Sequence, residues 1–274
     1  GSLGLVAREG DTAPGTGGAA FFQLGSSPAL NGGGDTAFTS QLAGTGVTFS
    51  NDGGIFKETG GTLGLVARKG DTAPGTGGAA FSFLGDPALN GGGDTAFRGD
   101  LTGPGVTSSN NLAIFKEGGG GLGLVAREGD IAPGTSGAAF SGFGSTALNG
   151  GGDIAFLGGL IVTGTGVTLS NDGGIWLGLD GEPLDLILRE GDLLEVAPGD
   201  QRTVSGLVLD ATDSGFLNDL GQIAFSARFT DGSEGIFVAS VDPTPSTSVP
   251  VPATLPLLGA GLALIGIAAS RRRR

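Results

Sequence analysis

The chain has 274 residues and a formal net charge of −13, although its last four residues, Arg271, Arg272, Arg273 and Arg274, are all basic. The remainder holds 10 basic against 27 acidic residues, a balance that repels nucleic acid and anionic lipid and attracts cations. With neither Cys nor His, it excludes a disulfide framework, a Ser-His-Asp triad, a Cys-His pair and an ordinary zinc site.

Gly supplies 59 residues and Pro only 13. No G-X-Y period accompanies the Gly, and Phe and branched aliphatics recur throughout, so collagen and simple disorder are both poor readings. Turn-rich β-structure with a thin core shared between neighbours fits better. The chain also has no Met, which reads either as an N-terminal signal removed or, better, as a fragment beginning inside a repeat.

In chain order, each repeat opens with a constant block, LGLVAREGDTAPG at residues 3–15. It returns at 63–75 and 122–134, and in looser form as LDLILREGD at 184–192. Alternation places Leu3, Leu5 and Ala7 on one face of an expected strand, with Val6 and Arg8 on the other. Pro14 and Gly15 then make a turn. A Phe-rich segment follows at 19–24, expected as a second strand or a brief helical turn.

The organising motif comes next. It reads NGGGDTAF at 31–38 and again at 90–97, NGGGDIAF at 149–156, and NDLGQIAF at 218–225. The shared pattern is Asn-x-x-Gly-x-x-Ala-Phe, carried by Asn31, Gly34, Ala37 and Phe38; Asn90, Gly93, Ala96 and Phe97; Asn149, Gly152, Ala155 and Phe156; and Asn218, Gly221, Ala224 and Phe225. Asn and Gly tolerate the left-handed backbone of a tight turn, and the pattern predicts a turn feeding a strand from Asp35 to about Leu42. GIFKE at 54–58 is the last expected strand of the unit.

A fixed period of about 60 residues predicts an all-β array of four tandem repeats, near 1–60, 61–119, 120–180 and 181–240. Short antiparallel strands in such units suggest a β-propeller-like fold, with a β-solenoid as the alternative. Such units are stable only when stacked. The divergent fourth unit is expected to cap the array.

Residues 241–254 read as a Pro/Ser/Thr linker. Beyond it, Leu255, Leu257, Leu258, Leu262, Leu264, Ile265 and Ile267 form an apolar stretch closed by Arg271, Arg272, Arg273 and Arg274. This predicts a transmembrane anchor helix over 255–274, just long enough if its flanking Arg snorkels. The Arg cluster would lie in the cytoplasm and the repeats outside.

With Val249, Pro250, Val251, Pro252 and Ala253 ahead of it, this layout resembles the PEP-CTERM protein-sorting signals of Gram-negative bacteria, in the variant that opens VPLPA. Val251 stands where that variant has Leu. The resemblance implies recognition and cleavage by an exosortase-type membrane protease. It also implies an exported protein, held at the inner membrane before processing and then placed at the cell surface or in the extracellular matrix. Residues 3–240 resemble bacterial surface proteins named for tandem Asn-x-x-Gly-x-x-Ala-Phe repeats and interchangeable C-terminal anchors, a family that implies an address rather than an activity.

Chemistry is sparse. NGGGD lacks the Gly-Lys-Ser/Thr of a phosphate loop. Paired carboxylates such as Asp11 and Asp35 would suit a secreted carbohydrate-active hydrolase, yet carboxylates repeated in every copy point to structure, because an active site needs to occur once. Calcium has oxygen-ligand candidates in Asn31, Asp35, Asn90, Asp94, Asn149 and Asp153, and also in Asn51, Asp52, Asn171 and Asp172; none has the spacing of a known calcium loop. The sequence therefore predicts a non-enzymatic scaffold or binding module without a required cofactor. Its partners would be the membrane, a processing protease and exopolysaccharide.

Overall fold

The computed structural model describes residues 3–162, 166–209 and 216–240. All regular structure there is β, in four antiparallel sheets without a helix. The first sheet contains β1 (Ala20–Leu24), β2 (Ala29–Leu30), β3 (Thr36–Ala43), β4 (Gly53–Thr59) and β5 (Thr62–Arg68), in the order β1-β3-β4-β5 with β2 also paired to β3. The second repeats this plan with β6 (Ala80–Leu84), β7 (Ala88–Leu89), β8 (Thr95–Thr102), β9 (Leu112–Gly118) and β10 (Gly121–Arg127). In the third, β11 (Phe140–Leu148), β12 (Ile154–Leu160), β13 (Gly173–Gly178) and β14 (Leu184–Arg189) lie in sequence order. The single β11 replaces a split pair. Pro28 and Pro87, which cannot donate to a ladder, interrupt the first two copies, and Thr146 stands at that place in the third.

The sheets run out of phase with the sequence repeat. Strand β5 is the opening LGLVAR block of the second copy, yet it closes the first sheet by pairing with β4, Ile55 opposite Ala67 and Lys57 opposite Gly64. Strands β10 and β14 close the second and third sheets in the same way. The strand expected over residues 3–8 is absent as such. Its counterparts exist because a preceding GIF strand supplies their hydrogen-bond partners, and residues 3–8 have no such partner among the described residues. Leu3 is fully exposed and Leu5 is 73% exposed.

The fourth sheet, β15 (Leu193–Ala197), β16 (Asp200–Val208), β17 (Gln222–Phe229) and β18 (Glu234–Ser240), gains β15 on one edge. Beyond β18 no closing strand follows among the described residues.

Each sheet has two unlike faces. One carries a trio of rings, Phe21, Phe38 and Phe56 in the first sheet, with Phe38 and Phe56 stacked at 6.0 Å and Phe21 edge-on to Phe56 at 4.8 Å. The trio recurs as Phe81, Phe97 and Phe115, then as Phe140, Phe156 and Trp176. The other face is small and aliphatic. Ile55 and Ala67 pack beneath the second sheet's rings, and Ala96, Ile114 and Ala126 beneath the third's. Ala155, Ile175 and Leu188 lie against Val204, Phe225 and Phe229 of the fourth. Adjacent sheets are thus held by faces, and both Ala and Phe of the motif are buried in the first three copies, whereas Ala224 of the fourth is exposed. Arginines of the closing strands add ties. Arg68 donates from Nε to the Asn51 carbonyl at 2.9 Å and from Nη1 to the Thr16 carbonyl at 3.0 Å.

On the outer face of the fourth sheet Ile236 is 83% exposed.

Candidate functional site

The recurrent polar feature is the asparagine turn at the start of β3, β8, β12 and β17. Asn31 Oδ1 accepts the backbone N–H groups of Gly33 and Asp35, each at 2.9 Å, which closes its own turn. Its Nδ2 donates at 2.9 Å to Asp35 Oδ2 and also at 2.9 Å to the carbonyl of Asn90, one copy on. Asn90 reaches the Asn149 carbonyl at 2.8 Å, and Asn149 reaches that of Asn218 at 2.9 Å. A primary amide has two donor hydrogens and two acceptor lone pairs; at Asn31 all four are used. Asp could not donate, so the residue type follows from the ladder. The fourth motif residue has a positive φ in every copy, 92° at Gly34 and 68° at Gly221, which explains glycine there.

The candidate calcium ligands other than Asp172 are engaged within the protein. Asp35 Oδ1 accepts Gly60 N–H at 3.1 Å. The bond from Asn31, then that from Gly60, holds the Asp35 carboxyl below the usual carboxylate range. Asp94 and Asp153 accept from Asn90 and Asn149 at 3.0 and 2.7 Å. Asn51 closes a separate turn on Thr48 N–H, as Asn171 does on Thr168 N–H, and Asp52 pairs with Lys69 at 2.9 Å. Among the described residues no group of three or more acidic side chains converges as a metal site would require. Of the suggested hydrolase pair, Asp11 bonds Arg8 at 2.9 Å, and no bond joins it to Asp35.

Grooves open where sheet faces diverge. One of about 420 Å³ between the first and second sheets is lined by Gln23, Gln41, Asp52, Lys69, Phe83 and Asp86, with Phe83 half exposed. Another of about 240 Å³ between the third and fourth sheets holds Asp172 and Glu190 beside Phe143, Leu157 and Leu207. Glu190 occupies the position of Lys69 and Glu128 in earlier copies. There the partner residues are Asp52, bound to Lys69, and Asn111, whose N–H donates to Glu128 at 3.1 Å. Only the third sheet sets two acids there. Sequence reasoning missed this pair, whose signal is two exchanges read together, Asp172 where the second copy has Asn111 and Glu190 where the second copy has Lys69.

Burial holds the Glu190 carboxyl above its ordinary range; the Gly173 amide opposes that rise and the charge on Asp172 adds to it. A carboxyl raised in the folded state favours folding while protonated. That contribution is intact below the ordinary Glu value of 4.5 and lost as pH climbs through the raised value. Glu190→Gln keeps an acceptor for Gly173 N–H, bonded at 3.0 Å. It is expected to raise Tm at neutral pH and to leave it unchanged below pH 4.5. The same difference at both pH values would remove the desolvated carboxylate as its cause.

No curated protein matches the chain. Among solved structures, a hypothetical protein from Leishmania major is similar at 14% identity and a TM-score of 0.22, over 85% of this chain and 91% of that one. Residues 1–249 match a family of unknown function, DUF7453. The chain belongs to the DUF7453 family.

Proposed function

We propose that the chain is a non-enzymatic, exported scaffold with a β-propeller-like body, anchored through its C-terminal segment and offering its inter-sheet grooves to polysaccharide. The observation that carries this reading is the asparagine ladder. The most repeated polar side chains of the molecule are spent on internal bonds, as suits a scaffold. Successive sheets meet face to face rather than sharing a hydrogen-bonded edge coil by coil, which favours a propeller over a solenoid. The half-exposed Phe83, set among amides and carboxylates, offers a ring face and hydrogen-bonding groups suited to a sugar. The acidic body disfavours nucleic acid, and no cofactor is required.

The sorting motif at 249–253 and the anchor at 255–274 lie outside the described residues. No described helix is long and apolar enough to cross a membrane. The anchored address, with an exosortase-like protease as processing partner, rests on the residue pattern. Expressing the chain with and without residues 249–274 tests it. The full chain is expected in the membrane fraction and the shortened one in the soluble fraction; retention of both at the membrane would overturn the anchor.

A carbohydrate-active hydrolase is the second reading, favoured by the unrepeated Asp172 and Glu190 pair in its groove. Release of reducing sugar by the full chain, abolished in Glu190→Gln, would establish it in place of the first.

A further inference from the structure

We propose that the groove between the first and second sheets takes an uncharged hexose chain laid across the strands, a ligand class that rests on the polysaccharide function proposed for these grooves. Strand pairing sets a row of residues side by side along one wall. Gln23 of β1 lies opposite Gln41 of β3, and Gln41 lies opposite Gly53 of β4. Lys69, just past the end of β5, donates its backbone N–H to the Gly53 carbonyl at 2.8 Å. All four line the groove, and Ser82, Phe83 and Asp86 of the second sheet face them. At about 4.8 Å per strand the row runs about 14 Å, enough for a short run of hexose units.

The chemistry of the row fixes the class. Gln23 and Gln41 are exposed. Ser40 Oγ lies within hydrogen-bond distance of both their backbone carbonyls, but neither side-chain amide has a partner among the described residues. A primary amide donates and accepts, as a sugar hydroxyl does. Between these amides and Lys69, Gly53 leaves a trough, where an added Cβ would touch only Lys69, at 3.7 Å. Lys69 is paired with Asp52 at 2.9 Å, and Asp86 accepts the Thr39 hydroxyl across the groove at 3.0 Å. With both signs fixed in place, a uronate meets Asp52 and Asp86 and an amino sugar meets Lys69, whereas a hydroxyl meets no like charge. The other sheets lack this row. In the second, Asp100 lies between Phe83 and Leu112, with Glu128 beyond, so that leucine fills the trough. In the third, Gly142, Gly159 and Gly173 lead to Glu190, and the amides are gone.

Leu112 shows that the fold accepts leucine at this register, so Gly53→Leu fills the trough and is expected to keep the circular dichroism of the parent. A second variant, Gln23→Ala with Gln41→Ala, removes only exposed side chains. The full chain in mild detergent is titrated calorimetrically with cellohexaose and maltohexaose as neutral probes, and with hexagalacturonate and a chitosan hexamer as charged ones. Binding is expected for a neutral hexamer and for neither charged one, and each variant is expected to weaken it at least tenfold. Preference for a charged hexamer, or neutral binding indifferent to both variants, overturns this assignment and leaves the polysaccharide function standing. Binding of none of the four overturns both.

Discussion

Asn90→Ala is expected to destabilise the fold by on the order of 3 kcal/mol, since buried groups left unsatisfied cost about 1–3 kcal/mol each. Asn90 is 3% exposed. Its loss strips partners from the Gly92 and Asp94 N–H groups, the Asp94 carboxylate and the Asn149 carbonyl. Asn90→Asp should also destabilise, because it keeps the acceptor for the turn but sets a carboxylate oxygen against Asp94 and a carbonyl. Asn218→Ala is the control. Its turn is exposed and it bonds no following copy among the described residues, so a loss under about 1 kcal/mol is expected for an exposed turn. Urea midpoints followed by circular dichroism compare the three. Equal shifts at Asn90 and Asn218 would mean that the inter-copy bond contributes nothing.

The second large effect is expected at Trp176→Ala, about 3–5 kcal/mol for truncating a buried aromatic side chain. Trp176 is fully buried. It stacks on Phe156 at 6.1 Å, meets Phe140 edge-on at 4.9 Å, and donates Nε1–H to the Pro133 carbonyl at 3.1 Å. Trp176→Phe should cost far less, about 1 kcal/mol for the lost hydrogen bond, because Phe56 and Phe115 fill the equivalent place in earlier sheets. The ring also explains Gly174 beneath it, where a Cβ would approach Trp176 to 2.7 Å. Denaturation of the two variants by circular dichroism decides between ring volume and hydrogen bond. Similar losses in both would assign the effect to the indole N–H.

Much of this architecture was legible in the residues. The Asn-x-x-Gly-x-x-Ala-Phe spacing announces a turn and a strand because both are local events, governed by side-chain bonds to nearby N–H groups and by positive φ at Gly34. Strand pairing was less legible. Residues 3–8 and 63–68 are alike in sequence and differ in structure, because a strand depends on a neighbour that its own side chains do not encode. Alternation sets the Ala and Phe of the motif on opposite faces, and Ala96 and Phe97 are both buried because the second sheet is covered on each side. The hairpin of β15 and β16 lay in the divergent stretch after LDLILREGD, where no second copy helped to read it. The Asp172 and Glu190 groove depends on two loops, 18 residues apart in sequence, that only folding brings together.

The displacement of sheet from sequence repeat has a consequence for how such an array changes its length. A tandem duplication or deletion of 59 residues moves a closing strand together with the turn that follows it. Each new junction therefore reuses one already proven in the same molecule, and no fresh surface has to be invented. A truncation at the repeat boundary, by contrast, leaves a sheet without its last member. Inheritance counts in one unit and cohesion in another, and their offset ties every copy to the next.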